Sequence, residues 1–128
     1  MLKVQEFVVN SAGEKRFGVL YVPDDHDTNP DPCAVVIYNH GKDETGTTAA
    51  SAQVLFGFGP FKFVNAGFQP KAKSPIDGKE TRFIMFAIQA PTWSPPEQES
   101  AYVLENYIMK TYRVRNDCVA VSGFSAGG

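Results

Sequence analysis

Three apolar runs constrain this chain more than any other feature. They are Cys33-Ala34-Val35-Val36-Ile37-Tyr38, the segment Arg82–Ala87, and Cys118-Val119-Ala120-Val121-Ser122. None alternates apolar with polar residues. A strand with one wet face alternates with a period of two. A continuous short run fits a strand covered on both faces, as in a parallel sheet sandwiched between helices. The runs are separated by segments with helical spacing, and the first is preceded by two strand-like segments, Lys3–Val9 and Arg16–Val22, around the turn residues Asn10-Ser11-Ala12-Gly13. This order predicts an α/β architecture: an N-terminal hairpin, then mostly parallel strands with flanking helices.

Composition narrows the function classes. The chain has 128 residues, of which 43% are hydrophobic and 20% charged, which is the balance of one ordinary globular domain. A net charge of −2 and a pI near 5.6 argue against nucleic-acid binding through a strong basic field. No nucleic-acid partner is expected. The longest apolar runs have six residues, far short of the ~20 that a membrane-spanning helix needs. Met1–Glu6 lacks a charged start followed by an apolar stretch, so no signal peptide is read there, and the compartment stays open between cytoplasmic and exported. Cys33 and Cys118 have no metal-ligand spacing and are too few for a disulfide framework.

Between the runs, Pro23–Pro32 is a polar loop, and His26 within it is expected to be a solvated turn residue. Ala49–Leu55 and a short segment from Phe61 to Gly67 have helical character. Gln69–Glu80 is polar, with two prolines and a glycine, and is expected to be an exposed loop. Glu97–Tyr112 has no glycine or proline and places Tyr102, Leu104, Tyr107 and Ile108 roughly on one face, predicting a helix. Arg113–Asp117 is expected to be a connector into the third run.

That run leads into Gly123-Phe124-Ser125-Ala126-Gly127. The pattern is G-x-S-x-G directly after a buried strand. A strand that turns sharply into a helix holds the middle residue at the tip of a strained turn, and the flanking small residues avoid backbone clashes. Ser125 is then presented as a nucleophile at the carboxyl end of the sheet. The backbone N–H of Ala126 faces the place where an oxyanion forms. A random chain of this length carries the pattern about 4% of the time, and the preceding strand lowers that chance further.

The first buried run ends in His40-Gly41-Lys42. A second oxyanion donor is needed for acyl transfer, and a His-Gly turn on a neighbouring strand supplies it through the following backbone N–H, here that of Lys42. The role lies in the backbone, so the His40 imidazole is read as structural. Cys33 lies nine residues before Lys42 and Cys118 eight before Ala126, so neighbouring strands place the two thiols within about one residue of register. Reduced thiols are expected.

Other chemistries fit less well. The glycine-rich stretches match neither G-x-G-x-x-G nor G-x-x-x-x-G-K-[ST], and Pro60 removes a donor from Gly57-Phe58-Gly59-Pro60. Asp24, Asp25, His26 and Asp27 are adjacent in a loop, where side chains rarely converge on one ion. No metal or other cofactor is expected.

Taken in order, His40-Gly41 with Gly46 beyond, Gln89-Ala90-Pro91 and Trp93, Tyr112-Arg113-Val114 and the Ser125 pentapeptide resemble the α/β-hydrolase superfamily. More narrowly, they resemble its phospholipase/carboxylesterase-like and polyhydroxybutyrate-depolymerase-like esterases. The resemblance runs from the hairpin to the elbow. It implies Ser125 as nucleophile, Ala126 and Lys42 as backbone oxyanion donors, and Gly41 and Trp93 beside the substrate. In that fold the acid and the histidine base follow the serine, whereas this sequence stops three residues after Ser125. Residues 1–128 are therefore expected to be the N-terminal portion of one incomplete domain, with no general base of its own. The expected activity is carboxylic-ester hydrolysis on a small-molecule, lipid or carbohydrate ester. Activity is expected only with a C-terminal half carrying the acid and the histidine, and that half, or a second copy of the chain, is expected to cover the open sheet edge. A non-catalytic interaction module is the competing expectation.

Overall fold

The two leading segments pair as expected. A computed structural model describes residues 1–92 and 96–127, and in it β1 (Leu2–Val8) and β2 (Lys15–Tyr21) form an antiparallel hairpin from Leu2↔Tyr21 to Val8↔Lys15. Asn10 closes the turn by accepting backbone N–H bonds from Ala12 and Glu14 on its side-chain oxygen, both at 3.1 Å.

The three apolar runs become β3 (Cys33–Asn39), β5 (Glu80–Ile88) and the later part of β6 (Val114–Gly123). β5 and β6 both run parallel to β3, and β2 pairs antiparallel with β5. The resulting order is β1-β2-β5-β3-β6. The missing alternation in the first two runs has its physical cause here, because β3 and β5 are covered on both faces, whereas the third run, expected to be buried as well, is exposed over Val119–Gly123. On one face Val35, Ile37, Ile84, Phe86 and Ile88 pack with Val103 and Ile108 of the later helix. On the other, Tyr38, Met85 and Ala87 pack with Leu55 and Phe61.

The connections differ from expectation in four places. α1 (Ala49–Ala52) is capped reciprocally by Thr48 and Ser51, continues as a 3-10 turn over Gln53–Gly57, and is followed by α2 (Gly59–Asn65). The expected loop 69–80 contains a strand, β4 (Lys71–Lys73), whose exposed Lys-Ala-Lys carries no strand signal and is held by antiparallel pairing with Glu80–Arg82. The helix over 97–111 is interrupted: α3 (Glu97–Val103) and α4 (Met109–Thr111) flank a π-helical turn at Leu104–Ile108. β6 begins at Val114, inside the expected connector, because Val114 pairs with Cys33 before an irregularity resets the register to Val35↔Val119. That register brings the two cysteine positions to neighbouring places on adjacent strands, as the spacing predicts. Both thiols are free, Cys33 buried and Cys118 half-buried.

His26 is a further correction. It is not solvated but only 5% exposed. Its Nε2 accepts the Arg113 backbone N–H at 3.3 Å, and its Nδ1 lies 3.7 Å from the Cys33 sulfur. The Tyr112 ring meets it edge-on at 5.5 Å. Arg113 also donates from its guanidinium to the His26 carbonyl. The loop is thus stitched to the start of β6 by partners 87 residues away, which a local reading of Pro23–Pro32 does not contain.

Burial first, then the Arg113 and Arg82 charges, hold His26 below the ordinary imidazole pKa, against weaker opposition from Asp27 and Asp25. The unfolded chain therefore binds the extra proton at higher pH than the folded one. The stability contributed by neutral His26 is present above about pH 6.5 and is lost as pH falls through the folded pKa. Half-buried Glu99, whose carboxyl is pushed up, acts with the opposite sign above its ordinary range. Comparison with His26→Gln separates the two. Between pH 7.5 and pH 5, the Tm of the parent chain is expected to fall more than that of the variant, and parallel curves would show that His26 is not the titrating group.

Candidate active site

The carboxyl ends of β3, β5 and β6 lie side by side, and the Ser125 turn meets the His40-Gly41 turn there. β6 ends in the register pair Asn39↔Gly123, and the next backbone N–H, of Phe124, donates to Asn39 O at 3.1 Å. The chain then reverses into a 3-10 turn, Ser125–Gly127. Ser125 has φ +55°, and among the described residues it is the non-glycine residue found at positive φ. A side-chain-bearing residue in this region carries backbone strain of about 1–3 kcal/mol. Ser125 is exposed, so its hydroxyl is available to a ligand.

Gly127 has a steric reason to be glycine. A Cβ there would stand 2.2 Å from Asn39 O and 2.6 Å from His40 O. The turn after Ser125 is pressed against the end of β3 so closely that no side chain fits. The Gly127 N–H donates to Phe124 O at 3.0 Å and closes the turn.

The His-Gly turn is equally fixed. His40 is 4% exposed. Its Nε2 accepts the Ala90 backbone N–H at 2.8 Å, so the ring proton sits on Nδ1 and is donated to Gly41 O at 2.6 Å. Both nitrogens are engaged with backbone. Gly41 is buried, and a Cβ on it would lie 3.1 Å from both the Phe124 ring and a Glu44 carboxylate oxygen. The turn therefore packs directly on the residue preceding Ser125. Lys42 opens the 3-10 turn Lys42–Glu44 with its side chain exposed. Ala126 lies in the Ser125–Gly127 turn. Trp93 lies outside the described residues.

Two buried polar residues at this end of the sheet were not among the predicted site residues. Glu44 is 2% exposed, and its charge adds to burial in pushing the Tyr38 phenol up. Gln89 is 1% exposed and bonds to the loop that follows β3. For Gln89 the available signal was a polar residue directly at the end of a continuous apolar run, where burial is the rule. Beside the elbow, an apolar cleft of about 680 Å³ opens between β6 and Gly57–Lys62, lined in part by Val36, Tyr38, Phe58 and Phe124.

No protein-family model and no curated protein sequence matches the chain. Among solved structures it is similar to a thermostable esterase, with a TM-score of 0.63 and 19% sequence identity over 98% of this chain. The match covers 35% of the esterase, so this chain spans about a third of that protein's length. Among the described residues, no helix is long and apolar enough to cross a membrane. A hairpin and parallel strands between helices, matched by that neighbour over nearly their whole length, give this chain the mixed α/β fold of the matched part of that esterase.

Proposed function

We propose that this chain is the nucleophile-bearing, N-terminal half of a serine carboxylic-ester hydrolase. The observation that carries the proposal is the backbone of Ser125, at φ +55° at the end of β6 and against the His40-Gly41 turn of the adjacent strand. Strain at a serine inside G-x-S-x-G has a purpose when the hydroxyl must stand clear of the sheet. The esterase-like fold supports the same reading.

In this proposal the Ser125 Oγ attacks the ester carbonyl carbon while its proton passes to a histidine outside these 128 residues. The carbonyl oxygen becomes an oxyanion, received by the backbone N–H groups of Ala126 and Lys42. Collapse of the intermediate breaks the ester C–O bond. The alcohol leaves with the proton from the histidine, and an acyl group remains on Ser125. Water, deprotonated by the same histidine, then releases the acid. Gly41 and Trp93 are proposed beside the substrate, with His40 holding the turn. The substrate is an ester of small-molecule, lipid or carbohydrate type.

Completion by a C-terminal half is part of the proposal. Val119 and Val121 of β6 and Phe124 just beyond it are 37%, 65% and 59% exposed, beside the apolar cleft. A strand with this much bare apolar surface and a free edge calls for a cover. The 128-residue chain alone, with no base for Ser125, is expected to show negligible turnover. The same bare strand favours a second reading, a non-catalytic module that associates through β6, with another copy of the chain as cover.

Intact-mass analysis after exposure to a fluorophosphonate separates the two. A single adduct mapped to Ser125, in protein that includes the completing half, is the expected result. Self-association with no serine adduct would establish the interaction module instead.

A further inference from the structure

We infer that Gln89 is a positioning residue for the oxyanion site, holding the loop after β3 so that the Lys42 N–H stays aimed at the reacting oxygen. This rests on the serine-esterase reading of Ser125.

Gln89 is the first residue after β5 and is 1% exposed, and both ends of its amide are engaged. Nε2 donates to Glu44 O at 2.9 Å and to Ser51 O at 3.0 Å, while Oε1 accepts from the Ser51 hydroxyl at 2.9 Å. Two carbonyl oxygens facing one end of the amide require the NH₂ group there, so its orientation is fixed chemically. The next residue adds to the same attachment. Ala90 N–H donates to His40 Nε2 at 2.8 Å, and Ala90 O accepts from Gly46 N–H at 3.0 Å. The segment His40–Gly46 is thus held at its start by Ala90, at Glu44 by Gln89, and at its end by Ala90 again. Lys42 lies inside that held span.

Gly46 shows how closely the parts meet. A Cβ there would stand 2.4 Å from the Ser51 hydroxyl oxygen and 2.8 Å from Gln89 Nε2. The clamp joins segments 38 and 45 residues apart in sequence. An oxyanion donor works only if it is in place before charge develops, and a loop carrying one needs such an anchor.

The test compares three variants of the catalytically complete protein on a soluble short-chain p-nitrophenyl ester. Gln89→Met keeps the volume and removes both donors. Gln89→Glu keeps the shape but turns carboxylate oxygens towards the carbonyls of Glu44 and Ser51. Ser51→Ala removes the Ser51 half of the α1 capping box and one bond to Gln89 while leaving both Nε2 donors in place. Both Gln89 variants are expected to lower kcat by about ten- to a hundredfold with KM within about threefold. Ser51→Ala is expected to lower Tm yet keep kcat within about threefold.

Unchanged kcat per phosphonate-reactive Ser125 in Gln89→Met, alongside a lower Tm, would make Gln89 an ordinary structural glutamine and overturn the inference. If the Gln89 variants do not fold, Gly46→Ala, which presses a methyl against Nε2, carries the same expectation and the same disproof. Absence of Ser125 labelling in the unsubstituted protein would sink the esterase reading itself, and this inference with it.

Discussion

Ser125→Ala, in the catalytically complete protein, is expected to lower kcat by about 10⁴- to 10⁶-fold and to abolish phosphonate labelling. The residual rate would come from the backbone donors of Lys42 and Ala126, which alanine leaves in place. Ser125→Gly is expected to be equally inactive but more stable than the parent by about 1 kcal/mol, because glycine adopts φ +55° without the strain a Cβ brings. Kinetics and chemical denaturation of the same two variants check both halves. Appreciable turnover in Ser125→Ala would place the nucleophile elsewhere. A glycine variant less stable than the parent would show that the turn is not strained at this residue.

The largest effect on stability is expected from Phe86→Ala. Phe86 is fully buried in the middle of β5, with Leu20 opposite on β2 and Ile37 on β3. Its ring lies 6.0 Å from that of Phe7 on the hairpin. Removing it leaves a cavity at the junction of the hairpin and the parallel strands, at a cost of about 3–5 kcal/mol. A domain of this size has about 5–15 kcal/mol in total, so urea denaturation would find a large part of the stability gone. Half-buried Phe83, three residues from the β5 start on a wetter stretch, provides the comparison, with a smaller expected loss for Phe83→Ala. A loss below about 1.5 kcal/mol for Phe86→Ala would mean that the surrounding core collapses into the space.

Much of this architecture is legible in the sequence because its causes are local. Cys33–Tyr38 and Arg82–Ala87 read as strands covered on both sides, since only such strands tolerate apolar residues at every position. Asn10–Gly13 reads as a hairpin turn because Asn10 can accept from nearby backbone. The Ser125 turn is legible because the G-x-S-x-G pattern marks a serine whose positive φ is a local property, while the close fit of Gly127 against Asn39 and His40 is set by the neighbouring strand.

The rest depended on residues far apart in the chain. Lys71–Lys73 is a strand only because Glu80–Arg82 pairs with it, and nothing in Lys-Ala-Lys predicts that. β6 starts at Val114 because Cys33 lies opposite, although Arg115, Asn116 and Asp117 look like a connector. His26 sits among prolines and aspartates and still turns inward, because Arg113, Cys33 and Tyr112 meet it from elsewhere.

By itself, then, the sequence determined the strands, the layered class and the position of the candidate nucleophile. These follow from short-range sterics and from the burial periodicity of adjacent residues. The tertiary structure alone decided that Gln89 clamps the loop carrying Lys42 and that His26 is buried. Those outcomes rest mainly on hydrogen bonds between residues 38 to 87 positions apart, whose partners are brought together by the tertiary fold and not by local pattern.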